Sequence, residues 1–304
     1  MCEGIDAIKL NFDEDKLFLL NLILAFLMFG ISLSLKIADF KRLFVTPRKA
    51  IAGVISQYFA LPLATYLIVI ILKPCPSIAM GIFLLGACPG GNMSNFLSHL
   101  AKGNVALSVT LSVFQTVLAP ISTPLIFTVC ANSYAPTREL MQSINIDTLK
   151  LVKEIFIILG IPLVLGFITS NKFPVFTSRI LKPVHVLSLT LFIGFLLFSL
   201  LNNYDNFISI IGVIFFIVFL HNALAMGSGY LMGMIFRLDF KDKKCLAIET
   251  GIINAALGLA IIFTFFQGMG GMAVVAGWWG LWDLIAGGLL AGYWNRLDKR
   301  KLLK

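Results

Sequence analysis

Two carboxylates stand in stretches otherwise almost free of charge: Glu249 in AIETGIINAALGLA and Asp283 in GLWDLIAGG. An ionisable group at membrane depth is costly and by default marks a functional site. The bland alternative for each is a buried carboxyl hydrogen-bonded to a neighbouring helix. Asp283 has fewer polar residues around it than Glu249. A second polar cluster follows a helix-breaking Pro89-Gly90-Gly91 in GACPGGNMSNFLSHLAKGN: Asn92, Ser94 and Asn95. Ser108 and Ser112 lie four apart and share one helical face. Gln57 sits in the apolar run GVISQYFALP, ahead of Pro62. Side-chain oxygens of Ser, Asn, Gln and Glu, with carbonyls freed where a helix unwinds, suit a hard cation such as Na⁺.

The elements that must carry these residues follow from composition. The 304 residues are 59% hydrophobic and only 13% charged, with a mean hydropathy of +0.94. A soluble domain carries roughly 25% charge. A helix crosses the hydrocarbon with roughly 20 apolar residues. Nine stretches qualify: 17–35, 50–72, 77–101, 104–131, 151–170, 184–201, 207–235, 243–267 and 272–294. The expected fold is an all-α polytopic membrane protein with about nine transmembrane helices. It forms a single membrane domain over 1–304, with no room for a soluble domain. The alternating segments of about ten residues that mark a transmembrane β-barrel are absent from the pattern.

Spans three and eight both carry a polar, glycine-containing break, at Pro89-Gly90-Gly91 and at Glu249-Thr250-Gly251 with Asn254. They lie five spans apart, and an odd offset reverses direction through the membrane. Such a pair predicts an inverted repeat whose discontinuous helices cross near the midplane. Half-helix N-termini there suit an anionic solute, and freed carbonyls suit a cation. One crossing can therefore hold both.

Basic residues set the expected orientation. The clusters at 36–49, 172–182, 237–244 and 296–304, together with Lys102, hold most of the 24 Lys and Arg. The positive-inside rule puts these loops in the cytoplasm, with the N-terminus outside and the C-terminus inside. The first apolar run ends at Lys36 without a small-residue cleavage site, so it is read as a retained span. The +9 charge is loop charge and not a nucleic-acid face. The five cysteines form no pair at metal-ligand spacing, so neither a disulfide nor a metal centre is expected beyond Na⁺. His99 and His185 receive no role. His221-Asn222 is read as a packed polar spot, and Trp278, Trp279 and Trp282 as belt and packing residues. No nucleophile–base motif supports an intramembrane enzyme. A passive channel would want a pore-lining ring, usually from an oligomer.

The run GACPGGNMSNFLSHLAKGNVALSVTLS closely resembles the bile acid:sodium symporter family, as do LMFGISLSLKIADFKRL, SQYFALPL, FLHNALAMGSGYLMG and IETGIINAALGLA. The matches run in family order along nearly the whole chain. Bacterial members often have ten helices; this chain resembles a nine-helix member lacking the first. The resemblance implies a core domain (about 77–131 and 207–267) and a panel domain (about 17–72, 151–201 and 272–294), with solute between them and alternating access by their relative movement. It implies a first sodium site at Ser94, Asn95, Ser108, Ser112 and Glu249. A second site would use Gln57, Glu249 and the carbonyls of Thr250 and Ile252. Ile253 stands where the family has a glutamine, removing one oxygen from that second site. Asn92, Asn254 and Asp283 are the implied substrate contacts. Asp283 replaces a histidine of the family's Trp-His-Asn, so it either selects a different solute or takes a proton.

The expected function is sodium-coupled symport of an organic anion, bile-acid-like or a small carboxylate, with no organic cofactor and no nucleic-acid partner. The alternative is a proton-coupled or sodium-independent carrier of a related solute. The expected place is a bacterial inner membrane; the sequence leaves the oligomeric state open.

Overall fold

In hydrocarbon each peptide group must be satisfied within its own segment, so the apolar runs become helices. The computed structural model describes residues 6, 14–37, 44–91, 93–144, 148–201 and 204–302. Asn92, one expected substrate contact, lies outside the described residues. The order is α1 (Glu14–Ser32), α2 (Pro47–Leu72), α3 (Pro76–Ala87), α4 (Met93–Leu100), α5 (Val105–Ser133) and α6 (Ala135–Ser143). Then come α7 (Thr148–Ile155, continuing as Phe156–Lys172), α8 (Pro174–Leu201), α9 (Tyr204–Ile235), α10 (Phe240–Gly251), α11 (Ala255–Phe265) and α12 (Gly270–Leu302).

Among the described residues, α2, α5, the stretch Ile214–Ile235 of α9 and Gly270–Leu297 of α12 are long and apolar enough to cross a membrane. α3, the Phe156–Lys172 part of α7, and α11 are apolar but shorter. The chain is an all-helical integral membrane protein. α8 begins ten residues ahead of the expected span, because Pro174 opens it and Pro183 is carried inside it. Proline at the first turn costs nothing, since that N–H has no helical partner.

Both expected breaks are present. The stretch expected as the third span is two helices, α3 and α4, separated by residues 88–92, and the one expected as the eighth is α10 and α11, separated by 252–254. α2 and α7 each contain a π-turn, Ser56–Ala60 and Phe156–Gly160, just before Pro62 and Pro162. A proline without an N–H leaves a carbonyl one turn earlier unpaired, and a widened turn absorbs that defect. Gln57 lies in the first of these turns.

α10 packs against α9, and α12 against α3, α9 and α11. α2 contacts α3 and α9. α1 packs mainly against α8 and the Ile161–Lys172 part of α7, and also touches α11. The largest apolar core joins α3, α11 and the first half of α12, and includes the fully buried Phe83, Phe263 and Trp279. Glycines let the helices meet: a Cβ on Gly81 would stand 2.9 Å from the Met272 backbone.

Cys75, at the start of α3, is disulfide-bonded. This corrects the expectation of no disulfide; spacing is a poor guide because a disulfide needs only Cβ proximity in the fold. Cys88, Cys130 and Cys245 are free.

Candidate functional site

The two breaks meet in an antiparallel bridge between Gly90 and Ile253. Gly91 N–H donates to the Ile252 carbonyl at 2.6 Å, and Asn254 N–H to the Pro89 carbonyl at 2.9 Å. Backbone freed by unwinding one helix is thus satisfied by backbone freed in the other, which makes two breaks tolerable at depth. Gly90 is required by space. A Cβ there would stand 2.7 Å from Glu249 Oε1 and 2.9 Å from Gln115 Oε1 and the Glu249 carbonyl. Asn254 opens α11, its Oδ1 accepting the Leu257 N–H at 3.1 Å.

Glu249, on the last turn of α10, is 1% exposed. Three hydroxyls donate to its carboxylate: Ser94 (2.6 Å) and Ser108 (2.7 Å) to Oε2, and Ser112 (2.6 Å) to Oε1. Ser94 comes from α4 and the other two from one face of α5. Asn95 Oδ1 lies 3.5 Å from Ser112 Oγ. Hydroxyls satisfy the carboxylate's lone pairs but bring no positive charge, and each keeps lone pairs of its own. A small cation among Glu249, the serines and Asn95 would supply the missing charge and find oxygen ligands in place. The structure therefore brings the expected first ligand set together.

The second set is less closed. Gln57, 2% exposed, donates from Nε2 to the Cys88 carbonyl at 2.8 Å, and its Oε1 is buried without a protein partner. A buried acceptor with no donor is costly and fits a site for a cation. The Ile252 carbonyl is already engaged by Gly91 N–H. The Thr250 hydroxyl is paired with Ser56 at 2.7 Å. Ile253 adds no side-chain oxygen.

Asp283, on α12 and 3% exposed, shares a helical face with Gly280 and Gly287, where an added Cβ would meet the Ala255 side chain and Ile252 Cδ1. It therefore faces the crossing.

Three contributors were not singled out from the sequence. Gln115 Oε1 accepts the Gly90 N–H at 2.7 Å; it lies three residues past Ser112 on the same α5 face, and that spacing was the available signal. Ser56 pairs with Thr250. Asn222, read only as packing, donates to the Gly251 carbonyl at 2.8 Å and satisfies the end of α10.

Helices that cross a bilayer, broken in two places that cross each other around a buried carboxylate, define a membrane transporter and not an enzyme. The sequence comparisons agree. A model of the sodium bile acid symporter family matches residues 21–210. The chain is similar to the sodium-dependent transporter YocS of Bacillus subtilis, 33% identical over 93% of this chain and 84% of that one. It is also similar to the chloroplastic sodium/metabolite cotransporter BASS1 of Arabidopsis thaliana, 29% identical over 90% of this chain and 66% of the relative. To sodium/bile acid cotransporter 4 of Mus musculus it is 27% identical over 77% of this chain and 53% of the relative. The chain thus spans between half and two thirds of the plant and mouse relatives. It belongs to the sodium bile acid symporter family.

Proposed function

We propose that this protein couples a sodium gradient to symport of an organic anion by alternating access. The observation that carries the reading is Glu249, buried at the crossing and held by three serine hydroxyls from two other helices. Na⁺ bound there draws α4, α5 and α10 together. By linkage, the ordering it imposes favours solute binding, and solute favours Na⁺ to the same degree. Two helices end at the crossing, α3 and α10, and two begin there, α4 and α11. The ending carbonyls favour a cation and the beginning amides an anion. Asn254, with Asn92, is the proposed solute contact. The names of the relatives, which include sodium/metabolite and sodium/bile acid cotransporters, support the ion and leave the solute a class. The coupling ion is part of the cargo, and the first ligand set is its proposed seat.

We place nine helices across the membrane and divide them into two bodies. Packing supports grouping α2 and α12 with the crossing helices, and α1, α7 and α8 as the opposing panel. This differs from the expected panel, which held α2 and α12. The disulfide at Cys75 supports placing the α2–α3 loop outside, because disulfides persist in oxidising compartments. That agrees with the charge-based orientation in a bacterial inner membrane.

Thermal stability of the detergent-purified protein in NaCl, against KCl at equal ionic strength, tests the reading. A cation at 100 times its Kd stabilises by about 2.7 kcal/mol. Sodium-specific stabilisation is expected in the wild type and is lost in Glu249→Ala. A folded wild type indifferent to sodium would overturn sodium coupling. It would favour the proton-coupled or sodium-independent alternative, to which Ile253 and the extra carboxyl of Asp283 lend support.

A further inference from the structure

We infer that the groove between α9 and α12 is a lipid site: one acyl chain of an anionic phospholipid lies along it, and the headgroup rests on the basic residues at its end. The site stands apart from the crossing and does not depend on sodium.

Between the two helices runs a cavity of about 380 Å³, with Ala247 of α10 on its floor. Residues 282, 286, 290 and 294 of α12 line it, one per turn, so a single helical face borders the whole length. Small residues hollow it out: Ala223 and Gly227 on α9, Ala247 on α10 and Ala286 on α12. A Cβ on Gly227 would meet nothing within 4 Å. Ala223 and Gly227 are exposed, and both helices here belong to stretches long and apolar enough to cross a membrane. The open side of the groove therefore continues the hydrocarbon-facing surface. From 282 to 294 a helix advances about 18 Å. Half of a hydrocarbon core roughly 30 Å thick is about 15 Å, so the groove has the length of one leaflet.

None of its lining residues is charged. Charge gathers at one end. There Tyr230 and Trp294 stack, with ring centroids 6.3 Å apart and 22° between the planes. Aromatic residues with a polar tip sit at headgroup level. Lys243 lies four residues before Ala247 and so on the same face of α10. Its stem runs against α9, where a Cβ on Gly233 would stand 2.9 Å from Lys243 Cγ. Arg237 and Arg296 are exposed just past the groove. The stretches 237–244 and 296–301 hold eight Lys and Arg against three Asp. One of those acids, Asp242, is already held by Lys49 and Asn104. Basic pockets at the ends of membrane helices bind lipid headgroups. A compact organic anion would need partners inside the groove, and the Asn222 amide there donates to the Gly251 carbonyl instead. Ala247 and Glu249 are two residues apart, about 200° around α10. The groove thus faces away from the serines that hold Glu249.

The melting temperature of the detergent-purified protein against added lipid tests the site. Phosphatidylglycerol is expected to stabilise it, and phosphatidylcholine with the same chains to need about twentyfold more for the same shift. Soluble glycerol phosphate is expected to give no shift. Equal responses to the two lipids would overturn the proposal, and so would a shift with glycerol phosphate alone, which would mean a phosphate site without a chain. Gly227→Trp fills the hollow and is expected to weaken half-saturation by phosphatidylglycerol about tenfold. Gly212→Trp, elsewhere on α9 and also meeting nothing within 4 Å, should leave it unchanged. Lys243→Gln combined with Arg296→Gln should weaken phosphatidylglycerol about twentyfold and leave the phosphatidylcholine response as it is. A wild-type response in Gly227→Trp or in the double variant would overturn the site, as would an equal loss in Gly212→Trp. If Gly227→Trp does not fold, Ala223→Leu on the exposed rim takes its place and the same outcomes decide. Sodium is left out throughout, so a failure of sodium coupling and a failure of the lipid site are read separately.

Discussion

Ser112 shows what a single hydroxyl does at the crossing. Its donation to Glu249 Oε1 at 2.6 Å is charge-assisted, worth about 1.5–3 kcal/mol when buried. Ser112→Ala is expected to weaken sodium half-saturation of the thermal shift about tenfold, whereas Ser112→Thr keeps the oxygen and the response. An alanine variant with wild-type sodium response would remove Ser112 from the site. Gly90 is constrained by room and not by charge. Gly90→Ala must displace the Glu249 backbone, at an expected cost of about 1–3 kcal/mol with loss of uptake. Gly277→Ala meets nothing within 4 Å and serves as the control. Equal melting temperatures for the two variants would contradict the packing at the bridge.

The broken helices are also tied at their far ends. Asn104 caps α5 through Leu107 N–H and donates to Asp242 Oδ1 at 2.7 Å, while Lys49 reaches Asp242 Oδ2 at 2.7 Å. Asp242 is thus satisfied on both oxygens, one through an ion pair. Lys244, fully buried, donates to the Ala101 carbonyl just past α4 at 2.9 Å and lies over the Phe240 ring. These contacts join the starts of α2, α5 and α10 into one interlock. Lys49 is 30% exposed, so the pair is worth less than a fully buried one. Lys49→Met strands a buried carboxylate and is expected to cost about 1–3 kcal/mol. Adding Asp242→Asn should recover part of it, which a double-mutant cycle on melting temperature would read. Additive losses would show that the two residues are not coupled.

Orientation belongs to the whole molecule. Lys73, in the α2–α3 loop beside the disulfide-bonded Cys75, and Lys102, in the α4–α5 turn, are both exposed. A cysteine placed at each, in intact cells, should react with a membrane-impermeant maleimide at position 73 and only after permeabilisation at position 102. The reverse pattern would invert the topology and require the basic loops to face outward, against the charge bias.

The class of fold was legible in the sequence because bilayer thickness and the cost of unsatisfied backbone act locally: long apolar runs become helices, and glycine with proline interrupts them. Glu249, Ser94, Ser108 and Ser112 were legible for a related reason, since polar atoms in such runs are too costly to be incidental. The partners were another matter. That the Gly90 N–H goes to Gln115, that Gln57 reaches Cys88 and that Cys75 is disulfide-bonded depend on which helices lie side by side, and spacing along one helix carries no such information. The packing of α12 against α3 was decided the same way, by small residues such as Gly81, whose added Cβ would meet the Met272 backbone. The sequence alone determined that Asp283 is a carboxyl within an apolar span. Only the tertiary structure decided which way it faces, because Gly280 and Gly287 on the same side of α12 let that side pack against Ala255 and Ile252 at the second break.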